Sequence, residues 1–342
     1  MEDSKLSKKI LFYTGISDIE WNLSISLEKN LGDVEKAIIY LSSEFPKDYE
    51  IYICGLVKEE QIDNIHYIHH RNLKELINNN IFYTIIISRY IRFFELFPNF
   101  ISYKVFIWAH DNELISVGTK LSVYEILDKW HHKIDACICL SEWHKEEFRK
   151  YKNIYDKIIV INYGIKLDLF NIEKVKNRFI YISNPEKGLQ RLLDIWPDIL
   201  NYIPDATLKI ATYKKLSKND DLIINKINKY SSIEYLGQLQ PTDLYKLMSS
   251  SEYWLYTSFF EDPFCVTALE MLKCNVICLY YDKGSLKEII NNNGIIITLG
   301  NEIEEFLHLS DNDKYNLRIN GKIYVNKFSY LDIYKKWKKI IF

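Results

Sequence analysis

Glycine and proline are scarce in this 342-residue chain, at 11 and 7 residues, and neither is concentrated in any stretch. Collagen-like and low-complexity architectures need one or both in quantity and are excluded. Internal repeats and long runs of like charge are missing too, which removes solenoids and charged tails from consideration. No basic excess exists: 44 Lys and Arg face 46 Asp and Glu, the formal net charge is -2, and the pI lies near 6.5. A nucleic-acid partner, which calls for a basic footprint, is therefore not expected. No apolar run approaches the length that crosses a bilayer. The charged N-terminus, residues 1–9, lacks the apolar core of a signal peptide. A cytoplasmic location is expected, with peripheral membrane contact left open. The six cysteines, Cys54, Cys137, Cys139, Cys265, Cys274 and Cys278, include no CxxC pair and fall mostly in apolar runs, as buried reduced thiols do.

What the chain does have is a regular alternation. With 48% hydrophobic residues it holds more than one compact core usually takes, so two domains are expected. In the first half, short apolar runs at residues 10–14, 50–54, 84–88, 104–108, 136–140 and 158–161 read as parallel strands covered on both faces. Amphipathic stretches such as 35–45 and 141–151 lie between them, the second opening at a capping serine, Ser141. The second half repeats the pattern, with strands expected at 178–182, 207–211, 233–236, 253–257, 276–280 and 294–298. Helices are expected there at 188–199, 219–229, 243–249 and 266–273. The reading is α/β: two Rossmann-like doubly wound domains facing a cleft. The boundaries expected are residues 1–165, a linker at 166–176, a second domain at 177–328, and a terminal helix at 329–342 that packs back on the first domain. Ligands of such sheets bind beyond the carboxyl ends of the strands, so residues just after strands matter most.

The densest of these runs from Phe259 through Glu261, Asp262, Pro263, Phe264, Cys265 and Val266 to Glu270. A loop carboxylate is followed by a helix with a second carboxylate about two turns in. A helix starting after Pro263 directs backbone N–H groups outward, where an anionic phosphate is stabilised. The two carboxylates are acceptors for paired sugar hydroxyls. A second post-strand segment, Ser183-Asn184-Pro185-Glu186-Lys187-Gly188, opens another helix and presents a lysine able to meet a diphosphate as a point charge. A third, Trp108-Ala109-His110-Asp111, places at a strand end a histidine able to donate to a sugar or phosphate oxygen, with Asp111 to orient it or to cap the next segment.

These segments resemble the retaining glycosyltransferase family 4, glycosyl transferases group 1, of GT-B fold. Asp262 and Glu270, with seven residues between them, are similar to that family's EX7E motif, with Asp for the usual first Glu. Lys187 and Gly188 match its basic diphosphate loop. The arginine that precedes them there corresponds to Ser183 or Asn184 here, and Arg191, a turn later, is the residue that would make up the charge. His110 matches a histidine near the donor sugar. Gly32 resembles the glycine-rich first loop, Asn162-Tyr163-Gly164 the hinge between the domains, and Leu236-Gly237-Gln238 the turn that contacts the nucleobase. The matches run in family order along nearly the whole chain.

The resemblance implies a hexosyltransferase acting on a nucleoside-diphosphate sugar and an unidentified acceptor, glycan, lipid or protein-linked, with retention and without a metal or other cofactor. It implies catalytic roles for His110, Lys187 and Asp262. Donor binding falls to Glu270, Gly188, Ser183, Phe264, Cys265, Val266, Gly237, Gln238 and Gly32. No metal site is expected: no Asp-x-Asp follows a strand, and His66-Tyr67-Ile68-His69-His70 has no further partner cluster. A nucleophilic serine elbow and a Walker loop are lacking as well. The competing readings are a catalytically silent nucleotide-sugar-binding subunit and a GT-B-fold sugar-nucleotide epimerase.

Overall fold

The computed structural model describes residues 8–29, 31–166, 172–213, 215–217 and 220–342. Residues 1–7 of the charged N-terminus, 167–171 of the expected linker and 219 of an expected helix lie outside the described residues. Two units make up the chain: Met1–Leu27, Leu31–Gly164 and Tyr330–Phe342 form unit 1, and Glu28–Asn30 with Ile165–Ser329 form unit 2.

Unit 1 contains β1 (Lys9–Gly15), β2 (Glu50–Gly55), β3 (Glu60–Ile62), β4 (Ile65–His69), β5 (Phe82–Ser88), β6 (Ser102–Trp108), β7 (Ala136–Cys139) and β8 (Ile158–Val160). Their order in the sheet is β3-β4-β2-β1-β5-β6-β7-β8. Only β3, a short edge strand, pairs antiparallel. The remaining order is that of a doubly wound sheet, reversing between β1 and β5. Continuous apolar runs such as Ile85, Ile86 and Ile87 are wholly buried, as a parallel sheet covered on both faces requires. The aromatic segment after β5 joins the core through Phe93, Phe94 and Phe100. The final helix, Tyr330–Ile341, completes this unit. Trp337 is fully buried with its ring 5.0 Å from Trp108, and Lys104 Nζ donates to the Ile340 carbonyl at 2.8 Å.

Unit 2 contains β9 (Arg178–Ile182), β10 (Thr207–Ala211), β11 (Ile233–Gly237), β12 (Tyr253–Tyr256), β13 (Ile277–Tyr280) and β14 (Gly294–Ile296), all parallel, in the order β11-β10-β9-β12-β13-β14. This sheet reverses between β9 and β12. Its core is a cluster that includes Phe179, Leu192, Trp196, Leu255 and Leu279.

Among the helices of unit 1 are α1 (Asp33–Ser43) and α2 (Glu142–Glu147). The Ser141 side chain accepts from the His144 backbone N–H at 3.0 Å, a cap that starts α2 where residue type predicts one. The His144 ring is a structural pin. Its Nδ1 accepts from the Leu140 N–H at 3.1 Å, so the proton sits on Nε2, which donates to the Asp111 carbonyl at 2.9 Å. Burial holds its pKa down at about 4, against an ordinary 6.5.

A buried histidine kept neutral leaves the unfolded chain to take up the proton first as pH falls. Its contribution is complete above pH 6.5 and is lost as pH drops toward 4. Urea unfolding of the wild type and of His144→Gln across that range should show the difference in stability shrinking by about 3 kcal/mol on acidification. Parallel pH profiles would contradict this role for His144.

Candidate active site

In unit 2 the sheet reverses between β9 and β12, and the loops leaving those two strands carry the candidate residues. Gly188, the last residue of the first loop and the N-cap of α3 (Leu189–Tyr202), has a φ of 95°. A Cβ there would lie 2.3 Å from the Thr257 carbonyl oxygen of the second loop. The Thr257 hydroxyl also donates to the Gly188 carbonyl at 2.7 Å. The two loops are thus in backbone contact, which only glycine at 188 permits. On the other side Asp262 rests on Gly284, whose φ is 56° and whose Cβ would come within 2.7 Å of the Asp262 backbone. The Ser285 N–H donates to the Asp262 carbonyl at 3.1 Å.

Between these supports Lys187 Nζ donates to Asp262 Oδ1 at 2.6 Å, with the two side chains 25% and 13% exposed. The ammonium also lies 4.4 Å from the centre of the half-exposed Phe260 ring, within cation–π range. The Tyr256 hydroxyl, whose pKa burial pushes up, donates more distantly to Asp262 Oδ2 at 3.4 Å. The helix after this loop, with the next one upstream, supplies the remaining groups: α4 (Pro241–Ser250) and α5 (Val266–Lys273). The N-cap of α5 is Cys265, extended and without a side-chain cap, so the positive end of the helix dipole is not closed by its own cap residue. Glu270 lies in the second turn of α5, where the Tyr245 hydroxyl of α4 donates to its Oε1 at 2.8 Å. At the end of β11, Gly237 has a φ of 66° and accepts from the Thr212 N–H at 2.9 Å, while Gln238 is exposed beyond it.

Several expectations need correcting. Arg191 does not make up the charge missing beside Lys187, because its Nε bonds the nearly buried Glu302 at 2.7 Å, and Tyr281 bonds the same carboxylate. The Phe264 side chain is buried, its ring centre 6.3 Å from that of Phe328, so only the backbone of this residue can meet a donor. Ser183, one of the two positions matched to an arginine, is also buried, while Asn184, the other, is partly exposed and neutral. Gly284, Tyr256, Phe260 and Tyr245 went unnoticed in the sequence. A Lys-Gly-Ser turn two residues after β13 was the signal for the first of these, and the others are ordinary aromatics in a chain rich in them.

In unit 1, His110 follows β6 as expected but is not a free donor. Nε2 lies 2.8 Å from Ser88 Oγ and Nδ1 lies 2.5 Å from the Tyr163 hydroxyl, so both nitrogens already have partners. Burial, then the charge of Arg89, hold its pKa well below 6.5. A ligand oxygen reaches this ring only by displacing Ser88 or Tyr163. Asp111 orients not His110 but Arg89, a non-glycine residue with a φ of 65°, through Nε at 2.7 Å. Gly32 caps α1 with an ordinary φ of -65°. The place a Cβ would take there is 2.5 Å from the carboxylate of Glu35, whose pKa burial raises. The close neighbour of Gly32 is therefore a side chain of its own helix. Among the described residues no group of three His, Cys, Asp or Glu side chains is placed to hold a metal ion. His66 stacks on Tyr52 at 4.9 Å. No helix among them is long and apolar enough to cross a membrane.

Two Rossmann-like parallel-sheet units of this topology are those of the GT-B glycosyltransferase fold. Residues 170–317 match the family model of glycosyl transferases group 1. Among solved structures, a sucrose-phosphate synthase from Thermosynechococcus elongatus superposes with a TM-score of 0.70 at 14% identity, covering 97% of this chain and 98% of the other. HepE of Anabaena, in complex with UDP and glucose, gives 0.66 at 13% identity over 97% and 98%. AviGT4, a glycosyltransferase involved in avilamycin A biosynthesis, gives 0.67 at 11% identity over 97% and 96%. At these identities the likeness is one of fold. No curated protein sequence matches the chain.

The two glycines with positive φ next to candidate residues should differ in cost. Gly188→Ala meets both a forbidden backbone region and a carbonyl oxygen, and should destabilise by about 3 kcal/mol or more. Gly237→Ala has no neighbour closer than 4.0 Å, so only strain of about 1–2 kcal/mol remains. Urea unfolding of both variants measures this, and equal losses would contradict the contact between the two loops.

Proposed function

We propose that the chain is a hexosyltransferase that takes its sugar from a nucleoside-diphosphate donor held on unit 2 and passes it to a hydroxyl of a glycan or lipid-linked acceptor. The observation that carries this is the Lys187–Asp262 pair at the point where the second sheet reverses. A cation and a carboxylate within one hydrogen bond of each other match the two ends of a sugar diphosphate. Lys187 takes the diphosphate, together with the N–H groups at the start of α5 around Phe264, Cys265 and Val266. Asp262, relieved of Lys187, accepts from hydroxyls of the sugar. Glu270 accepts from the ribose, and the backbone at Gly237 and Gln238 meets the base. Gly188 sets the loop that holds Lys187, beside Ser183.

As the bond from the sugar carbon to the diphosphate breaks, negative charge grows on the departing oxygen. Lys187 and the dipole of α5 stabilise that charge more in the transition state than in the ground state, which is what accelerates a step. This supports transfer without a metal ion, since the protein provides the positive charge itself. Retention of configuration is carried over from the family resemblance. UDP is the first nucleotide to try, because HepE is known with it. The engagement of Arg191 by Glu302 favours one rival, a subunit that binds the nucleotide-sugar without turning it over, because Arg191 is then not available to draw off the leaving group.

Incubation with UDP-, GDP-, TDP- and ADP-sugars in the absence of metal, with a cell lysate as acceptor source, should release nucleoside diphosphate from one of them. Lys187→Ala should lower kcat by about 10²-fold or more. Glu270→Ala should raise the KM for the donor by about 10- to 100-fold. Binding without release favours the silent subunit, and the absence of any nucleotide binding would defeat the assignment of unit 2.

A further inference from the structure

Glu270 is held by a neighbour. The Tyr245 hydroxyl on α4 donates to Glu270 Oε1 at 2.8 Å, and one turn further along both helices Ser249 Oγ lies 3.6 Å from Cys274 Sγ. Residues four apart share a helix face. The paired contacts, 245 with 270 and 249 with 274, show α4 and α5 meeting along those faces in the same direction. The hydrogen bond is thus set by how the helices pack, and is not a chance meeting of two surface side chains.

The bond has chemical consequences for the carboxylate. A glutamate on an open helix face turns about three bonds and loses substantial freedom when it is fixed. Tyrosine turns about only two and brings a rigid ring. Tyr245 selects one orientation of Glu270 and fills one acceptor site on Oε1. The same helix α4 starts at Pro241, directly after the turn of Gly237 and Gln238, and the Leu244 N–H donates to the Gln240 carbonyl at 2.9 Å. Tyr245 therefore joins the segment next to that turn to the carboxylate on α5.

We propose that Tyr245 is a positioning residue that aims Glu270 at the hydroxyls of a ribose and so sets the preference of the site for ribonucleotides over 2′-deoxyribonucleotides. The inference rests on the donor site assigned to unit 2 and adds to it the residue that makes the ribose contact selective. Neither residue touches the bond that breaks, so the effect falls on nucleotide affinity.

The test is calorimetric binding of UDP and 2′-deoxy-UDP, or of GDP or ADP with its deoxy counterpart if the donor screen selects that base. The proteins are the wild type, Glu270→Ala, Tyr245→Phe and, as a second removal of the hydroxyl, Tyr245→Leu, each with its melting temperature. The wild type should prefer the ribonucleotide by about tenfold or more, as a hydrogen bond to a charged group implies. Glu270→Ala should abolish that preference. Tyr245→Phe and Tyr245→Leu should cut it by at least about threefold. A merely structural tyrosine would weaken both nucleotides equally and leave their ratio unchanged. Loss of the preference in Glu270→Ala with its full retention in both Tyr245 variants overturns the inference while leaving the donor site standing. A preference that survives Glu270→Ala overturns the ribose assignment itself, and the role of Tyr245 with it.

Discussion

A lysine and an aspartate that neutralise each other across two loops are the contact on which the functional reading of unit 2 depends. Lys187 comes from the loop after β9, Asp262 from the loop after β12, and the strands are neighbours only because the sheet reverses there. Gly188 lets one loop touch the other, and Gly284 gives Asp262 a backbone seat. Without either glycine the two charges would not be aligned. The pair also explains how a small, half-buried patch tolerates both charges before any ligand arrives, since each would otherwise lose solvation without compensation.

Unit 1 treats its polar groups in the opposite way. His110 and His144 are buried and neutral, each with both ring nitrogens bonded, and Tyr163 is kept far from ionising by burial. Arg89 and Asp111 form a closed pair of their own. Such a network is rigid and specific when fully satisfied. It holds the carboxyl ends of β5, β6 and β7 in register, whereas unit 2 gathers its charges in loops of partial exposure.

Much of this could be read from residues alone. Parallel strands announce themselves as largely apolar runs, and β9 and β10 span the residues expected for them, Arg178–Ile182 and Thr207–Ala211. The helix α5 is equally plain, fixed by Pro263 before it and an apolar face within it. β3 escaped because a three-residue edge strand, Glu60–Ile62, is too short to show an apolar period. The helix Asp311–Tyr324 escaped because almost none of its residues is buried, so the pattern was polar all round. In the site, residue types pointed to Lys187, Asp262 and Glu270, since chemistry shows in type and spacing. What spacing cannot show is which partner each side chain chooses. Arg191 chose Glu302, Asp111 chose Arg89, and His110 chose Ser88 and Tyr163, all through contacts distant in sequence.

If Lys187 is the diphosphate ligand, Asp262 is its competitor whenever the sugar is absent. The direct test is the affinity of sugar-free UDP, or of the nucleoside diphosphate the protein prefers, for the wild type and for Asp262→Asn. Removing the competing charge at constant shape should tighten binding of the bare diphosphate severalfold, even as transfer from the intact donor falls. An affinity that stays the same or weakens would mean that Lys187 does not exchange Asp262 for the diphosphate, and the central claim would fail.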